Sequence, residues 1–400
     1  MKPSFARSAI ILGLLSCVGP FAIDMYLPAL PAVAADLDAS IASVQVTLTA
    51  FFIAFGVSQL VYGPAADWYG RKPPLYVGLV IFIIGSLACA FAPSIGWLTA
   101  ARLLQGVGAA AVMVIPRAII RDMHTGTQAT RLMALVMLVI SVSPMLAPLA
   151  GSGLIAVWDW RSIFLALMGA GAASLLLTAF MQPETLKAQD RVPIEPRTLL
   201  AGSKTLLSDP YFMGLTFIGG FGMASFFVFI ASASFVYTSE FGLTPTGFSI
   251  AFAVNAIGFF GASQMAAGLG ERFGMARIVT AATAGFLFFT ALLFALVLAG
   301  FGSLYVVVGL LLLANACQGL VIPPVMVMAL DPHGDIAGLA SSLGGTLQML
   351  AGSLMIALAS PFFDGTALPM VTAIMLCAAC AFVLARLVLP KSAAAGQAAE

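Results

Sequence analysis

Runs of about twenty apolar residues recur along the whole chain, parted by short polar segments. Read by length and hydropathy, they predict twelve membrane-spanning helices: 8–30, 43–63, 75–93, 96–117, 131–155, 161–181, 210–235, 246–268, 278–299, 302–328, 336–360 and 367–388. The longest polar stretch, Gln182 to Asp209, falls between the sixth and seventh spans. It holds Pro183, Pro193 and Pro196, and it alternates acids (Glu184, Asp190, Glu195) with bases (Lys187, Arg191, Arg197, Lys204). It reads as a linker between two six-helix halves. The expected organisation is an N-terminal bundle at 1–181, a linker at 182–209, a C-terminal bundle at 210–390 and a tail at 391–400. Lys2 and Arg7 before an apolar run imitate a secretory leader, but the run continues to Pro31, so a retained first helix is expected.

An internal echo supports two halves. Asp67-Trp68-Tyr69-Gly70 is expected just after the second span, and Glu271-Arg272-Phe273-Gly274 after the eighth. Arg102 to Gly106 in the fourth span matches Asn315 to Gly319 in the tenth, with Gln105 facing Gln318 in the register. The fold class expected is therefore an all-α integral membrane protein of twelve helices in two pseudo-symmetric halves.

Composition agrees. Hydrophobic residues make up 61% of the chain and charged residues 8%, against about 25% charged in soluble domains. Lys and Arg gather on one set of connecting segments, including Lys2, Arg7, Arg71, Lys72, Arg117, Arg121, Arg131, Arg272, Arg277, Arg386 and Lys391. The opposite set holds Arg161 and several acids. This bias places the termini in the cytoplasm. The short N-terminus and lack of organelle signals point to a bacterial inner membrane.

A net charge of +1, with no basic cluster interleaved with aromatics, excludes nucleic acid as a partner. Cys17, Cys89, Cys317, Cys377 and Cys380 sit in apolar spans and read as small buried hydrophobes. His124 and His333 occupy separate loops with no ligand spacing. No Gly-Lys-Ser/Thr loop occurs. No cofactor, metal or enzymatic chemistry is expected.

Charges inside the spans are few, and they direct attention to Asp24. A lone carboxylate at that depth either pairs with a cation or carries a proton. Asp24 lies about 7 Å beyond the centre of the first span, and Arg102 in the fourth lies at a similar depth. If the two spans are neighbours, an ion pair follows, and its weakening as helices move would let Asp24 take a proton. A static structural pair remains open, as does an Arg102 that instead holds helices by donating to backbone carbonyls. Pro20, Pro28 and Pro31 predict a broken outer end of the first span, with the Asp24 carbonyl left free.

Amides within spans face partners or a cavity. With nearby aromatic and soft residues they supply substrate-binding candidates: Met25, Tyr26, Phe52, Gln105, Met113, Phe226, Phe227, Asn255, Asn315 and Gln318. Pro148 is expected to bend the fifth span and Gly151 to permit close packing, at a place where the two halves pack together and pivot.

These segments resemble the major facilitator superfamily over about residues 8–390, and more narrowly its Bcr/CflA branch of drug:proton antiporters, the bicyclomycin and amphenicol exporters. Gly63 to Pro73, with Asp67, Gly70 and Arg71, resembles the loop 2–3 motif, although Ala65 and Trp68 replace the usual leucine and arginine. In the family this motif latches the cytoplasmic side. Here the resemblance implies contacts with Asp335 to Ala340 and with Arg121 or Asp122. Arg102 to Gly108 resembles the span 4 motif implicated in proton coupling. Pro148 and Gly151 match the antiporter motif, which normally opens on Gly-Pro where this chain has Ala147-Pro148. Ala22 to Pro31 resembles the branch signature, tying Asp24 to that family's site for proton and substrate.

The resemblance implies a monomeric proton-coupled antiporter that exports small amphipathic drug-like compounds from the bilayer-embedded state by alternating access. Export of an endogenous metabolite and uptake by proton symport are the alternatives. A channel is disfavoured because the spans lack continuous polarity.

Overall fold

The computed structural model describes residues 5–123, 126–191 and 196–396, and every regular element among them is helical. The chain divides into two compact units between residues 195 and 196. In the first unit α1 (Phe5–Asp24) and α2 (Leu30–Asp36) form the first span. They are followed by α3 (Ile41–Trp68), α4 (Lys72–Ala90), α5 (Ile95–Met123), α6 (Gly126–Val157) and α7 (Arg161–Met181). In the second unit α8 (Pro196–Ser208) precedes α9 (Pro210–Ser239), α10 (Pro245–Phe273) and α11 (Met275–Leu298). The tenth span is α12 (Leu304–Gly319) with α13 (Ile322–Leu330), and α14 (Ala337–Ala359) and α15 (Ala367–Gly396) follow. Twelve helical segments among the described residues are long and apolar enough to cross a bilayer.

Helix ends depart from the hydropathy edges where polar residues extend a helix beyond the hydrocarbon. The second span runs on to Trp68, so Asp67 lies in the last turn of α3 and not in the loop beyond it. The eighth likewise includes Glu271. The expected linker contains a formed helix, α8. Ser40 and Thr244 start α3 and α10 by accepting hydrogen bonds from the backbone N–H groups of Ser43 and Gly247. Gly70 and Gly274 end the same two helices at φ +94° and +85°, a conformation that favours glycine. Corresponding spans thus begin and end by the same devices.

The two units repeat one packing pattern, each within itself. The second and third spans of each lie on the fourth, the third on the sixth, and the first against the fourth, fifth and sixth. Glycines set these distances. A Cβ at Gly106 of α5 would collide with the Phe51 carbonyl region of α3, and one at Gly319 of α12 would collide with the Phe259 carbonyl of α10. Between α4 and α5 the backbones meet at Gly78, Gly85 and Gly108. Small residues that let backbones touch are how helices associate where lipid removes the hydrophobic drive.

The tenth span breaks at Leu320–Val321, which the hydropathy pattern gave no reason to expect. Pro323 and Pro324 explain it, since neither can donate a backbone hydrogen bond back into α12. The fifth span, by contrast, stays helical through both Pro144 and Pro148. At one end of the first unit Arg161 bonds Asp36 at 2.7 Å and the Ala92 carbonyl at 3.3 Å, and Trp160 donates to Asp36 at 3.1 Å. This ties the first, third and sixth spans together at that end.

Gly108→Ala should lower the stability of the detergent-solubilised protein by about 1–3 kcal/mol, because the added methyl strikes the Phe82 backbone with no room to yield. Gly96→Ala, in open space on the same helix, should leave the thermal unfolding midpoint unchanged or slightly raised. Equal midpoints for the two variants would contradict backbone contact between α4 and α5.

Candidate functional site

The break in the first span is built around Asp24. Pro28 has no N–H to give the Asp24 carbonyl, so α1 ends there. Met25 still bonds Phe21 at 3.1 Å. Ala29 then bonds Tyr26 at 3.0 Å to open a short 3₁₀ turn over Leu27–Ala29 before α2. Gly151 of α6 covers this break: any side chain there would collide with the Met25 carbonyl oxygen. Pro148 and Gly151 are both buried. Gly151 thus serves close packing against the first span within the first unit.

Arg102 projects from α5 toward the same break and is wholly buried. Its Nη1 donates to the Ala22 carbonyl at 3.0 Å and to Gln105 Oε1. Its guanidinium carbon lies 4.2 Å from the Phe51 ring centre, 5.0 Å from that of Tyr26 and 5.8 Å from that of Phe164. Nε and Nη2 have no acceptor among the described residues. Desolvated contacts of a cation with aromatic faces are worth about 2 kcal/mol or more, so the rings carry much of the cost of burial. Neighbours brace the cage. Gln105 Nε2 donates to Ser86 Oγ at 2.8 Å, and the Tyr26 hydroxyl meets Thr47 Oγ1 at 3.1 Å. Phe52 is buried with its ring edge-on to Phe51 at 6.0 Å.

The expected Asp24–Arg102 ion pair is therefore not formed. Among the described residues the Asp24 carboxyl has neither an ion-pair nor a hydrogen-bond partner, although the residue is only 4% exposed. The reason is angular. Ala22 and Tyr26, four residues apart, present one face to Arg102, while Asp24 lies two residues from each and turns to the opposite face. Of the two uses of Arg102 weighed from sequence, donation to a backbone carbonyl is the one observed.

Candidates in the second unit form their own group. Phe226 is half-buried and stacks on Phe259 at 6.3 Å, with Phe227 beside it at 6.4 Å. Asn315 donates to Asn255 Oδ1 at 3.2 Å, and Asn255 to the Ala251 carbonyl at 3.0 Å. Gln318 accepts from Ser225 Oγ at 3.2 Å, while its buried Nε2 has no acceptor among the described residues. Met113 is half-buried on α5 and belongs to neither group. Among the described residues the buried charged side chains, Asp24, Arg71 and Arg102, all lie in the first unit, and the buried polar groups of the second are amides and hydroxyls.

A second cluster lies at the other end of the first unit. Arg71 binds Asp67 one turn earlier and grips Asp122 with two bonds, Nε–Oδ2 at 2.7 Å and Nη2–Oδ1 at 3.0 Å. Asp122 also accepts from Thr185 Oγ1 at 2.8 Å. Burial alone would disfavour the charge on Arg71. The hydrogen bonds that Arg71 donates to Asp122 and Asp67 more than offset this and hold the guanidinium above its ordinary pKa. Of the two span 4 residues weighed as partners, Asp122 is engaged through Arg71, whereas Arg121 is exposed and forms no ion pair among the described residues. Gly63 has open space beside it. The side chain of Asp335 lies outside the described residues, as does His124.

Sequence reasoning missed Glu184. Its carboxylate accepts from the backbone N–H groups of Arg71, Lys72, Thr185 and Leu186 at 2.9–3.0 Å, capping α4 from the far end of the unit's sequence. Only its place just after the sixth span, between a proline and a threonine, could have drawn notice. Phe164 and Ser86 were missed because any one aromatic or serine in a span is unremarkable without its neighbours. Arg117 falls among the expected loop cations. α5 extends to Met123, which leaves Arg117 well inside the helix with a buried Nε that has no acceptor among the described residues.

Twelve spans in two like-built units, with buried charges in the first, are the fold of a membrane transporter family and not of a catalytic enzyme, as the family match shows. The Major Facilitator Superfamily model matches residues 12–356, and the chain belongs to that family. It is 35% identical over 364 residues to the Bacillus subtilis "Uncharacterized MFS-type transporter YdgK", covering 90% of each. It is 30% identical over 367 residues to the Haemophilus influenzae "Bicyclomycin resistance protein homolog", again covering 90% of each. Among solved structures, a POT family transporter in complex with 5-aminolevulinic acid shares the fold at a TM-score of 0.77, with 13% identity and 98% of each chain covered.

Arg71→Ala should destabilise the protein by about 2 kcal/mol, since it leaves Asp67 and Asp122 facing one another unpaired. Arg71→Lys should restore only part, because an ammonium cannot repeat the two-point grip on Asp122. Gly70→Ala should be comparably harmful. Its φ is strained for alanine, and the methyl would come within 2.9 Å of Glu184 Oε2. Chemical unfolding in detergent measures all three, and full rescue by lysine would contradict the two-point role.

Proposed function

We propose that the chain is a proton-coupled exporter of small amphipathic compounds, with cargo of the amphenicol or bicyclomycin kind, and that Asp24 is its proton carrier. The observation that supports this reading is a buried carboxyl with no partner among the described residues, held at a break in the first span. A group engaged in a structural salt bridge has little reason to exchange a proton. A free one at a helix break does, because broken transmembrane helices with ionisable groups mark ion and substrate paths. Kinship to a bicyclomycin resistance protein homolog adds to it.

In this account Asp24 takes up a proton when its surroundings open to the outside. It releases the proton when cargo approaches from the cytoplasm, and the carboxylate and cargo then compete for the same volume. Arg102 is a positioning residue. Its cage of rings holds the first span at Ala22 and Tyr26, so that Asp24 stays turned away. Its unused Nε and Nη2 are donors that an ionised Asp24 would meet if the first span rotated at Met25. Met25, Tyr26, Phe52, Gln105 and Met113 from the first unit, and Phe226, Phe227, Asn255, Asn315 and Gln318 from the second, are the candidates for contact with cargo. Apolar contacts discriminate weakly, so cargo would vary in shape. The loop cluster at Asp67, Gly70, Arg71 and Asp122 would gate. The Lys/Arg bias orients both termini to the cytoplasm of the bacterial inner membrane, and the working unit is a monomer.

The amide set Asn255, Asn315 and Gln318 is the observation that favours the second reading, an exporter of a hydrogen-bonding metabolite. A site built on amides rejects ligands lacking matching groups.

Adding chloramphenicol or bicyclomycin to purified, lightly buffered protein should release protons from wild type, and the signal should fall to background in Asp24→Asn. Gln318→Leu should leave release intact for apolar cargo. Release undiminished in Asp24→Asn would move the proton site elsewhere. No release with any drug, but release with a polar metabolite that Gln318→Leu abolishes, would favour the second reading.

A further inference from the structure

Helix α8 stands apart from the spanning helices among the described residues. It lies within the polar stretch between the sixth and seventh spans and ends one residue before α9, and its residues fall into four strips around the axis at about 100° per residue. Leu199, Gly202, Ser203 and Leu206 form the first strip. Leu206 is fully buried, and Gly202 lies against Leu339 and Ile336 at the start of α14. Leu200 and Leu207 form the second strip, adjoining the first. They are 70% and 47% exposed. Arg197 and Lys204 lie next to them and are exposed. Thr198, Ala201, Thr205 and Ser208 complete the circle, also exposed.

We infer that α8 is a docking surface for anionic phospholipid. Leu200 and Leu207 enter the edge of the acyl region, and Arg197 and Lys204 bind headgroup phosphates. Three observations support this occupant. The order of strips, from packed face to exposed leucines to cations to small polar residues, is the order of environments met on passing from protein through the bilayer edge and headgroups to water. Depth agrees: α9 has 30 residues and a length of about 45 Å, against about 30 Å of hydrocarbon, so its first turn and the neighbouring α8 stand at headgroup level. Charge agrees as well: neither Arg197 nor Lys204 has a carboxylate in ion-pair range among the described residues. With respect to the described residues, the two cations are available to a phosphate. Their stems can cover apolar surface while their heads reach upward. The inference rests on the proposed orientation, which puts α8 on the cytoplasmic leaflet, but not on the identity of the cargo.

The test is backbone hydrogen exchange over residues 199–208 of the full-length protein in nanodiscs. The discs are made of phosphatidylcholine alone or of phosphatidylcholine with phosphatidylglycerol. Both faces of a nanodisc are open, so the result does not depend on sidedness in the cell, which a C-terminal reporter fusion reads separately. Each cation near an anionic surface contributes enough for exchange in wild type to slow by about tenfold or more when phosphatidylglycerol is present. Arg197→Gln/Lys204→Gln should lose that difference and Arg197→Lys/Lys204→Arg should keep it. Leu200→Ser/Leu207→Ser should exchange faster in both discs. Unchanged exchange elsewhere in the second unit certifies each variant as folded. Exchange in wild type that ignores phosphatidylglycerol would overturn the inference. So would a phosphatidylglycerol effect that survives Arg197→Gln/Lys204→Gln. Protection equal in all discs and variants would mean that protein, not lipid, covers the helix, and would overturn it too.

Discussion

A guanidinium cannot be taken out of water cheaply, and Arg102 is buried completely. How that cost is offset governs the first unit. One backbone carbonyl, one amide and three aromatic rings do the work that a carboxylate would do in a salt bridge. Because the rings come from the first, second and sixth spans, the solution also fastens those spans around the fourth. Removing the cation would leave a void among Tyr26, Phe51 and Phe164, and would take its side-chain donor from the fully buried Ala22 carbonyl.

The same arrangement leaves Asp24 unengaged. A carboxyl and a guanidinium at similar depth, on helices that touch, would be expected to pair, and what prevents it is the half-turn between Ala22 and Asp24. The proline-forced break ends α1 at Asp24, and the proposed coupling has this stretch rotate there. Gly151 keeps α6 close enough to cover the break without filling it. An acid, a break and a nearby cation with two unused donors make a device that holds the acid apart from its natural partner, and the proposed coupling uses that separation.

Much of the architecture was legible. Twelve spans follow from apolar runs that nothing but a bilayer would accept, and the break at Asp24 follows from Pro28. The glycine at the end of the second span and its echo at the eighth were readable as a repeat, and both adopt a positive φ. Less legible was whatever depends on rotation about a helix axis. The Asp24–Arg102 pair was expected from depth alone, and depth is silent on which face a residue presents. Partners contributed singly by distant spans, such as Phe164 and Ser86, carry no local mark. Glu184 caps α4 across more than a hundred residues of sequence, which no pattern within either segment announces. The break after Gly319 could have been read from Pro323 and Pro324, but a continuous apolar run concealed it.

The central claim is that Asp24 alternates between a neutral, unpartnered carboxyl and an ionised one as cargo binds. Infrared difference spectroscopy of the purified protein, with and without drug, reads this directly through the C=O stretch of a protonated carboxylic acid. The account predicts that drug binding removes such a band in wild type, and that no band is lost in Asp24→Asn. A wild-type spectrum with no protonated-carboxyl change, or a band that persists in Asp24→Asn, would contradict it.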